Sequence, residues 1–158
     1  MNNLRFTPLN PIRFPLVARL YKSHYPAGKP KKDEVIWTAE SENQLLASVR
    51  FKQFETFQLL TGMLVIPDFR GKGIGDELLN ACNDQTSSKV CFCLAYRYLV
   101  PLYERNDFKM IETSELPDEL AGRYKSYCNS GKDLVPMRFK QPDNKSESAN
   151  ASESVENC

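Results

Sequence analysis

The 158-residue sequence has one histidine, a formal net charge of +1 and no long hydrophobic run. A single histidine, His24, excludes a metal site built from clustered histidines. No stretch approaches the roughly 20 apolar residues that a membrane-spanning helix needs. The near-zero charge argues against nucleic acid as a main partner, because phosphate backbones are bound by strongly basic surfaces. We therefore expect no metal, no membrane partner and no nucleic acid.

Cysteine is sparse as well, and the count of five is odd. Cys91 and Cys93 lie in an apolar run that predicts a strand, and no second cysteine pair is available to complete a zinc site. Reduced thiols fit this pattern better than a disulfide framework. The first residues also lack the apolar core of a signal peptide. The pattern predicts a cytoplasmic protein.

Aromatic residues are absent from the last part of the chain. Residues 141–158 contain one valine, several serines and four acidic residues. Such a composition cannot bury enough apolar surface to offset the entropy of ordering the chain. We expect a disordered, acidic and serine-rich tail over residues 141–158, after one folded domain over residues 1–140.

The most informative stretch is LLTGMLVIPDFRGKGIGDELL, residues 59–79. Its nearly continuous apolar start predicts a buried strand, and the spacing of Ile74, Leu78 and Leu79 predicts one face of a helix. Between them lies a glycine-rich turn. A glycine-rich turn that enters a helix can bind phosphate, because the first amides of a helix are unpaired and its dipole favours negative charge.

The glycine spacing argues against two common phosphate-binding motifs. The Walker motif would end in Gly-Lys-Ser/Thr, and the dinucleotide motif G-x-G-x-x-G would need a glycine where Asp76 stands. Instead, Arg70, Gly73 and Gly75 match R-x-x-G-x-G, the signature of the GNAT acetyltransferase superfamily. The stretch LYERNDF at residues 102–108 is similar to the superfamily's second diagnostic block. The chain therefore resembles GNAT acetyltransferases.

The resemblance implies a mixed α/β fold, with a central, mostly antiparallel, twisted sheet flanked by helices. It implies direct transfer of an acetyl group from acetyl-CoA, the co-substrate, onto an amine. The implied cofactor-binding residues lie on the central strand and the glycine turn: Leu64, Val65, Arg70, Gly71, Lys72, Gly73, Ile74 and Gly75. Tyr103 is the implied proton donor to the departing sulfur.

The sequence departs from the superfamily pattern in three places. Asp107 replaces a glycine at a helix end, where it must adopt the left-handed conformation. Tyr96 replaces an asparagine that many members carry. The region 58–62 of the central strand has no acidic residue to serve as a general base, so the base stays unassigned.

These departures leave two alternatives open. A CoA-binding sensor or partner subunit could keep the fold without turnover, and a general nucleotide-binding or structural domain could reuse the glycine turn. The acceptor could be a small molecule or a peptide, and the protein could be a monomer or a homodimer. The loop at residues 26–33 carries Lys29, Lys31 and Lys32. It is either a solvated connection or a substrate-side loop that attracts an anion.

Four local expectations follow from periodicity. Pro11 should open a helix to about His24, with Asn10 as its N-cap. Leu16 and Leu20 should form its inner face, with Val17 as a further candidate, and Tyr21 and Tyr25 should extend it. The strand at residues 44–54 should be half exposed, with alternate residues such as Ser48 and Arg50 in solvent. Ser114 should cap the helix that follows Pro117. Pro136 should restrict the strand at residues 133–139 to an edge or an irregular pairing.

Overall fold

A computed structural model describes residues 4–140, so the expected tail at residues 141–158 lies outside the described residues. Seven strands form one sheet in the order β1-β2-β3-β4-β5-β7-β6. The strands are β1 (Leu4–Pro8), β2 (Val35–Ser41), β3 (Gln44–Gln53), β4 (Phe57–Val65), β5 (Val90–Tyr96), β6 (Phe108–Met110) and β7 (Leu134–Phe139). The α-helices are α1 (Phe14–His24), α2 (Ile74–Ala81), α3 (Asn83–Ser87), α4 (Val100–Arg105) and α5 (Asp118–Asn129).

Every neighbouring pair of strands is antiparallel except β4 and β5, which are parallel. Helices flank this sheet, and its main core lies between β2–β5 and the helices α2 and α4. The expected mixed α/β fold with a mostly antiparallel sheet is confirmed. Within residues 4–140, no helix combines the length and the apolar character that a membrane crossing requires.

The first helix begins as expected, and only part of its predicted stripe faces the core. A 3-10 turn at Pro11–Arg13 precedes α1, and the Asn10 side chain accepts a hydrogen bond from the backbone N–H of Ile12 at 3.1 Å. Val17 and Tyr21 are fully buried, whereas Leu16 is 39% exposed. The expectation for Leu16 was wrong, because the helix packs its Val17 and Tyr21 face against strand residues such as Leu64.

Strand β3 was expected to be half exposed, and that expectation was wrong. Ser48 and Arg50 are buried, at 0% and 4% exposure, like their neighbours on the opposite face. The cause is α1, whose Tyr21 ring lies 4.9 Å from the guanidinium carbon of Arg50. Alternation along a strand identifies its two faces but does not show which of them a distant helix covers.

Strand β7 lies between β5 and β6, so the expected edge position was wrong. The Pro136 carbonyl accepts a hydrogen bond from the Ile111 N–H at 3.0 Å. The N–H and C=O of one strand residue point to the same side of the strand. A backbone N–H at position 136 would therefore also point towards Ile111, and this is the donor that proline lacks. Ile111 lies just past the end of the short β6, which stops at Met110. The proline therefore does not interrupt the backbone hydrogen bonds between β7 and β5.

The helix after Pro117 is capped differently from the prediction. Ser114 lies inside a 3-10 turn, Thr113–Glu115, which a reciprocal capping box between Glu112 and Glu115 closes. Helix α5 begins at Asp118, with Pro117 in the N-cap position and no side-chain cap. By contrast, Asp107 has a φ of +72°, as the expectation for that helix end required.

The feature that positions the functional site is the divergence of the two parallel strands. The pairing of β4 with β5 runs from Phe57–Val90 to Leu60–Cys93 and then stops. Beyond that point Val49 of β3 faces two residues of β4, Gly62 and Met63, because the register shifts there. Such a bulge bends a strand and increases its twist. The sheet therefore opens into a wedge between the ends of β4 and β5.

Candidate active site

The glycine turn before α2 is built to admit a ligand to the backbone. Gly71 and Gly73 have φ values of +76° and +81°, and a Cβ added at either would meet nothing within 4 Å. Gly73 occupies the N-cap position of α2, which has no side-chain cap. The first amides of this helix are therefore left for an external acceptor. Ile74 anchors the turn, because its side chain is buried in the core.

A cleft of about 450 Å³ lies over this turn, between the turn and α4. The predicted loop residues that line it are Arg70, Gly71, Gly73, Ile74 and Gly75. Lys72 is exposed and is not among the lining residues. Asp76, in the first turn of α2, pairs with Arg105 at 3.0 Å. The hydrogen bond from Arg105 lowers the pKa of Asp76, and the cation offsets a carboxylate that would otherwise repel a phosphate.

The wedge between β4 and β5 forms a groove of about 490 Å³ that continues from this cleft. Both share Val65, Arg70 and Gly75. The Ile66 N–H donates to the Leu46 carbonyl of β3 at 2.9 Å, so Val65, one residue earlier, directs its own N–H and C=O away from β3. The Val65 carbonyl accepts from Arg70 Nε at 2.8 Å. Its N–H faces the wedge.

Leu64 and Tyr103 also line this groove. The Leu64 side chain packs with Val17 and Tyr21 beneath α1, so it supports β4 from behind. Tyr103 is 3% exposed, and its ring packs edge-on against Phe108 with centroids 5.6 Å apart. Burial, with Cys93 nearby, raises the pKa of Tyr103 well above 10.0. The phenol is therefore protonated at neutral pH and can donate a hydrogen bond.

Cys93 is the thiol that shares this environment. Burial raises its pKa to about 12, although the Tyr103 side chain hydrogen-bonds to it. At neutral pH it is a thiol and a poor nucleophile, since the thiolate is the reactive form.

A second chamber, of about 210 Å³, lies beyond the inner end of the groove. The two cavities share five residues, which we call the neck: Tyr25, Leu60, Thr61, Leu94 and Tyr96. Six cationic side chains and one carboxylate line the chamber: Lys29, Lys31, Arg50, Lys52, Arg123, Lys132 and Glu34. We call it the basic chamber.

Arg50 and Glu34 form the buried floor of the basic chamber. Arg50 Nη1 donates to Glu34 Oε1 at 2.7 Å, and both side chains are 4% exposed. The same nitrogen donates to the Lys29 carbonyl at 3.1 Å. Gly62 makes room for this guanidinium, because a Cβ there would lie 2.5 Å from Arg50 Nε. The bulge that opens the wedge therefore also admits Arg50.

The neck places two phenols between the cavities. Burial, and then the neighbouring Tyr96, raise the pKa of Tyr25 to about 12. Tyr96 occupies the position where the resemblance led us to expect asparagine, and it lines both the groove and the basic chamber. The neck thus combines apolar strand residues with the aromatic rings and hydroxyl groups of Tyr25 and Tyr96.

Sequence reasoning missed most of the basic chamber. Arg50 was expected in solvent, and Glu34, Arg123 and Lys132 were not recognised as site residues. The one available signal was the lysine-rich loop, of which Lys29 and Lys31 do line the chamber. Among residues 4–140, no three side chains of the metal-binding types come together.

The family comparison agrees with this geometry. The family model for the acetyltransferase (GNAT) domain matches residues 32–110, half of the chain. The chain belongs to this family. The match covers β2 to β6 and therefore includes the glycine turn, the wedge and Tyr103. No curated protein matches the sequence significantly.

Solved structures of GNAT enzymes share the fold. N-acetylglutamate synthase from Neisseria gonorrhoeae, complexed with coenzyme A and N-acetyl-glutamate, superposes with a TM-score of 0.68 at 15% identity. The likeness covers 90% of this chain but 36% of that one, so this chain spans about a third of the synthase. The ribosomal-protein-S18-alanine N-acetyltransferase from Escherichia coli has a TM-score of 0.62 at 13% identity, over 87% and 93% of the two chains. Arabidopsis thaliana Naa50, with the bisubstrate analogue CoA-Ac-MVNAL, has a TM-score of 0.62 at 14% identity, over 87% and 98%.

Proposed function

We propose that this GNAT protein is an N-acetyltransferase that moves the acetyl group of acetyl-CoA directly onto the amine of an acceptor. The observation that carries the proposal is a row of three adjoining cavities, which we call the path. The cleft at the glycine turn shares lining residues with the wedge, and the wedge shares the neck with the basic chamber. The two substrates would therefore approach the neck from opposite sides.

The glycine turn supports a pyrophosphate at one end of this path. The amides at the start of α2 point outward, and Arg70 adds positive charge beside them. From there the extended arm of acetyl-CoA would follow β4 along the wedge, where the Val65 N–H offers a hydrogen bond. This placement brings the thioester to the neck. Lys72, at the exposed tip of the turn, contributes charge but no contact inside the cleft.

The reaction needs no metal for its electron balance. The lone pair of a neutral amine forms a bond to the thioester carbon, and the carbonyl oxygen takes the negative charge. The C–S bond then breaks, and the sulfur leaves with the electron pair. Tyr103 would donate its hydroxyl proton, or a strong hydrogen bond, to that sulfur. The acceptor nitrogen, which carries a positive charge after the attack, would lose one proton to water, and water would return a proton to the Tyr103 oxygen. The position of Tyr103 supports this role, because it lines the groove and burial keeps its hydroxyl group protonated at neutral pH.

Direct transfer is favoured over a covalent acetyl-enzyme. The cysteine that lines the groove is Cys93, and it is 2% exposed and protonated at neutral pH. An acetyl-cysteine intermediate would require its thiolate. The amine itself loses a proton more easily in this site than in water, because the cations of the basic chamber disfavour an ammonium group beside them.

The test is a thermal-shift titration with acetyl-CoA, CoA, ATP and NAD, followed by a thiol-release assay over a panel of amines. A ligand of the native state raises the melting temperature by mass action. We expect the CoA species alone to stabilise the wild type and Gly73→Glu to lose the response. Gly131→Glu is the matched control, because it adds the same charge at another open glycine of positive φ, outside the cofactor cleft.

A non-catalytic CoA sensor is the second candidate, and one observation favours it. The carboxylate that lines the basic chamber, Glu34, already pairs with Arg50 and accepts the Lys31 N–H at 2.9 Å. It is therefore a poor general base. CoA-specific stabilisation without thiol release from any amine would select the sensor. Stabilisation by ATP or NAD in preference to CoA would displace both candidates.

A further inference from the structure

We infer that the acceptor is a small amine that carries a carboxylate or phosphate group, and that the basic chamber binds this acidic group. The inference rests on the proposed function, since it names the substrate class of the same site. It goes beyond that function because neither the fold nor the glycine turn selects an acceptor.

The first argument is the charge of the chamber. Its lining has six cations and one carboxylate, although the whole chain has a net charge of only +1. These cations come from separate parts of the chain: the loop before β2, β3, α5 and the turn before β7. Like charges held together repel one another, so a concave site of this composition favours an anionic occupant.

The second argument is an unused hydrogen-bonding capacity at Arg123. Its Nε is buried and has no hydrogen-bond partner among the described residues, whereas Arg50 Nε, which also lacks one, lies against Gly62 of β4. A buried polar group without a partner is costly, and such groups mark places where a ligand or water supplies the bond. Guanidinium groups match carboxylates and phosphates in geometry as well as in charge.

The third argument is the position of these groups relative to the neck. Arg123 and Lys132 line the basic chamber but not the wedge, whereas Tyr25 and Tyr96 line both. An acid bound at the arginines therefore leaves the other end of the molecule facing the neck, where the thioester would lie. The chamber volume of about 210 Å³ suits a small molecule. The acceptor would thus be oriented with its amine towards the acetyl group.

Phosphates of the cofactor are a poor alternative occupant of the basic chamber. Arg70 and the glycine turn line the cleft at the far end of the wedge, and neither lines the chamber. The neck separates the two. Solvated surface cations would explain Lys29, Lys31 and Lys132, and the pair with Glu34 accounts for Arg50. Neither explains Arg123, whose buried Nε has no partner among the described residues.

The test uses pairs of amines that differ in the acidic group: 4-aminobutyrate against its amide, and phosphoethanolamine against ethanolamine. Thiol release with acetyl-CoA, and the melting temperature with saturating CoA, are measured for the wild type, Arg123→Met and Lys132→Met. Lys125→Met is the matched control, because it removes an exposed cation from the same helix outside the chamber.

We expect at least one acid to exceed its neutral partner about tenfold or more in kcat/KM and to raise the melting temperature where the partner does not. Loss of a charge-assisted hydrogen bond should lower that preference about tenfold in Arg123→Met and leave it unchanged in Lys125→Met. The two pairs distinguish a carboxylate from a phosphate. Lys132→Met gives the same comparison if Arg123→Met does not fold.

Equal turnover of acids and neutral amines overturns the inference and leaves the proposed acetyl transfer intact. If no acid reacts and no acid stabilises the protein, the inference is overturned as well. Stabilisation by an acid without any thiol release has the opposite meaning, because it supports the anion site and refutes acetyl transfer. Preferred turnover of a diamine such as putrescine also contradicts the inference.

Discussion

Under the proposed function, the two ends of the path would recognise their ligands in different ways. At the cofactor end, one contiguous turn presents backbone amides and open space around Gly71 and Gly73. At the acceptor end, side chains from four separate segments line the basic chamber, with the Arg50–Glu34 pair buried beneath them. Backbone recognition is local and leaves a short sequence pattern. Side-chain recognition is assembled by the fold and leaves no such pattern.

Their ion pairs differ in the same way. Asp76 and Arg105 beside the glycine turn are 39% and 58% exposed, whereas Arg50 and Glu34 are each 4% exposed. Exposed pairs contribute little to stability because solvent screens them. A buried pair is costly to break, because the remaining charge is left without a partner. Mutations should therefore affect folding at the acceptor end and binding at the cofactor end.

The largest effect is expected from breaking the buried pair. Arg50→Met or Glu34→Gln should each lower the free energy of unfolding, Arg50→Met by about 3–5 kcal/mol, and the double variant Arg50→Met/Glu34→Met should recover most of that loss. Urea denaturation measures all three. Asp76→Asn at the exposed pair is the control and should change stability little. Equal losses of unfolding free energy at the two ion pairs would contradict the expected difference between a buried and an exposed pair.

The next effect concerns catalysis at the groove. Tyr103→Phe should lower kcat about a hundredfold and leave the Kd for acetyl-CoA unchanged, because a positioned proton donor contributes at least this much. Tyr98→Phe is the control, since Tyr98 lines the same groove but is 77% exposed. A wild-type rate in Tyr103→Phe would favour the sensor.

The pH profile tests the same phenol without a mutation. Its pKa is raised well above 10.0, so the protonated form persists throughout the neutral range. The wild-type rate should show no loss from ionisation of Tyr103 up to about pH 10. A fall in kcat near pH 8 that disappears in Tyr103→Phe would contradict the assignment.

A smaller effect is expected at the bulge that joins the two regions. Gly62→Ala should destabilise the fold by about 2 kcal/mol or more, because its φ is +66° and the new methyl group would lie 2.5 Å from Arg50 Nε. Gly122→Ala, in α5 with open space around it, should instead stabilise by up to about 1 kcal/mol. Thermal or urea denaturation measures whether each variant is less or more stable than the wild type.

The smallest effect is expected at the cofactor end. Gly71→Ala should cost about 1 kcal/mol, because its φ of +76° strains the backbone but nothing lies within 4 Å of the added methyl group. The comparison with Gly62→Ala isolates the packing contribution, since both positions have similar φ values. If the two variants are equally destabilised, the close approach of Arg50 to the new methyl group does not contribute to the loss of stability.

The sequence supported correct predictions where a structural rule acts over a few residues. The central strand, the turn and α2 could be located because apolar runs, glycines and helical spacing occur in a continuous stretch. Asn10 at the first 3-10 turn and the positive φ of Asp107 are of the same kind. Leu16 shows the limit, since helical spacing alone does not decide whether Leu16 or its neighbour Val17 faces the sheet.

The predictions failed where a distant segment decides the environment. Arg50 alternates like a solvent-facing strand residue, but α1 covers that face of β3. Pro136 is typical of an edge strand, but it lies in the interior strand β7. The N–H that proline lacks would point to the side where the short β6 ends. Neither outcome can be derived from the residues beside it.

The sequence by itself determined the family, the glycine turn and the candidate proton donor Tyr103, because these depend on local spacing and a contiguous motif. The tertiary structure alone decided the basic chamber. It does so because β4 and β5 diverge after Leu60 and Cys93, and because the bulge at Gly62 leaves space for a buried guanidinium. Under the proposed function, acceptor choice would depend on residues that are far apart in sequence and adjacent only in the folded chain.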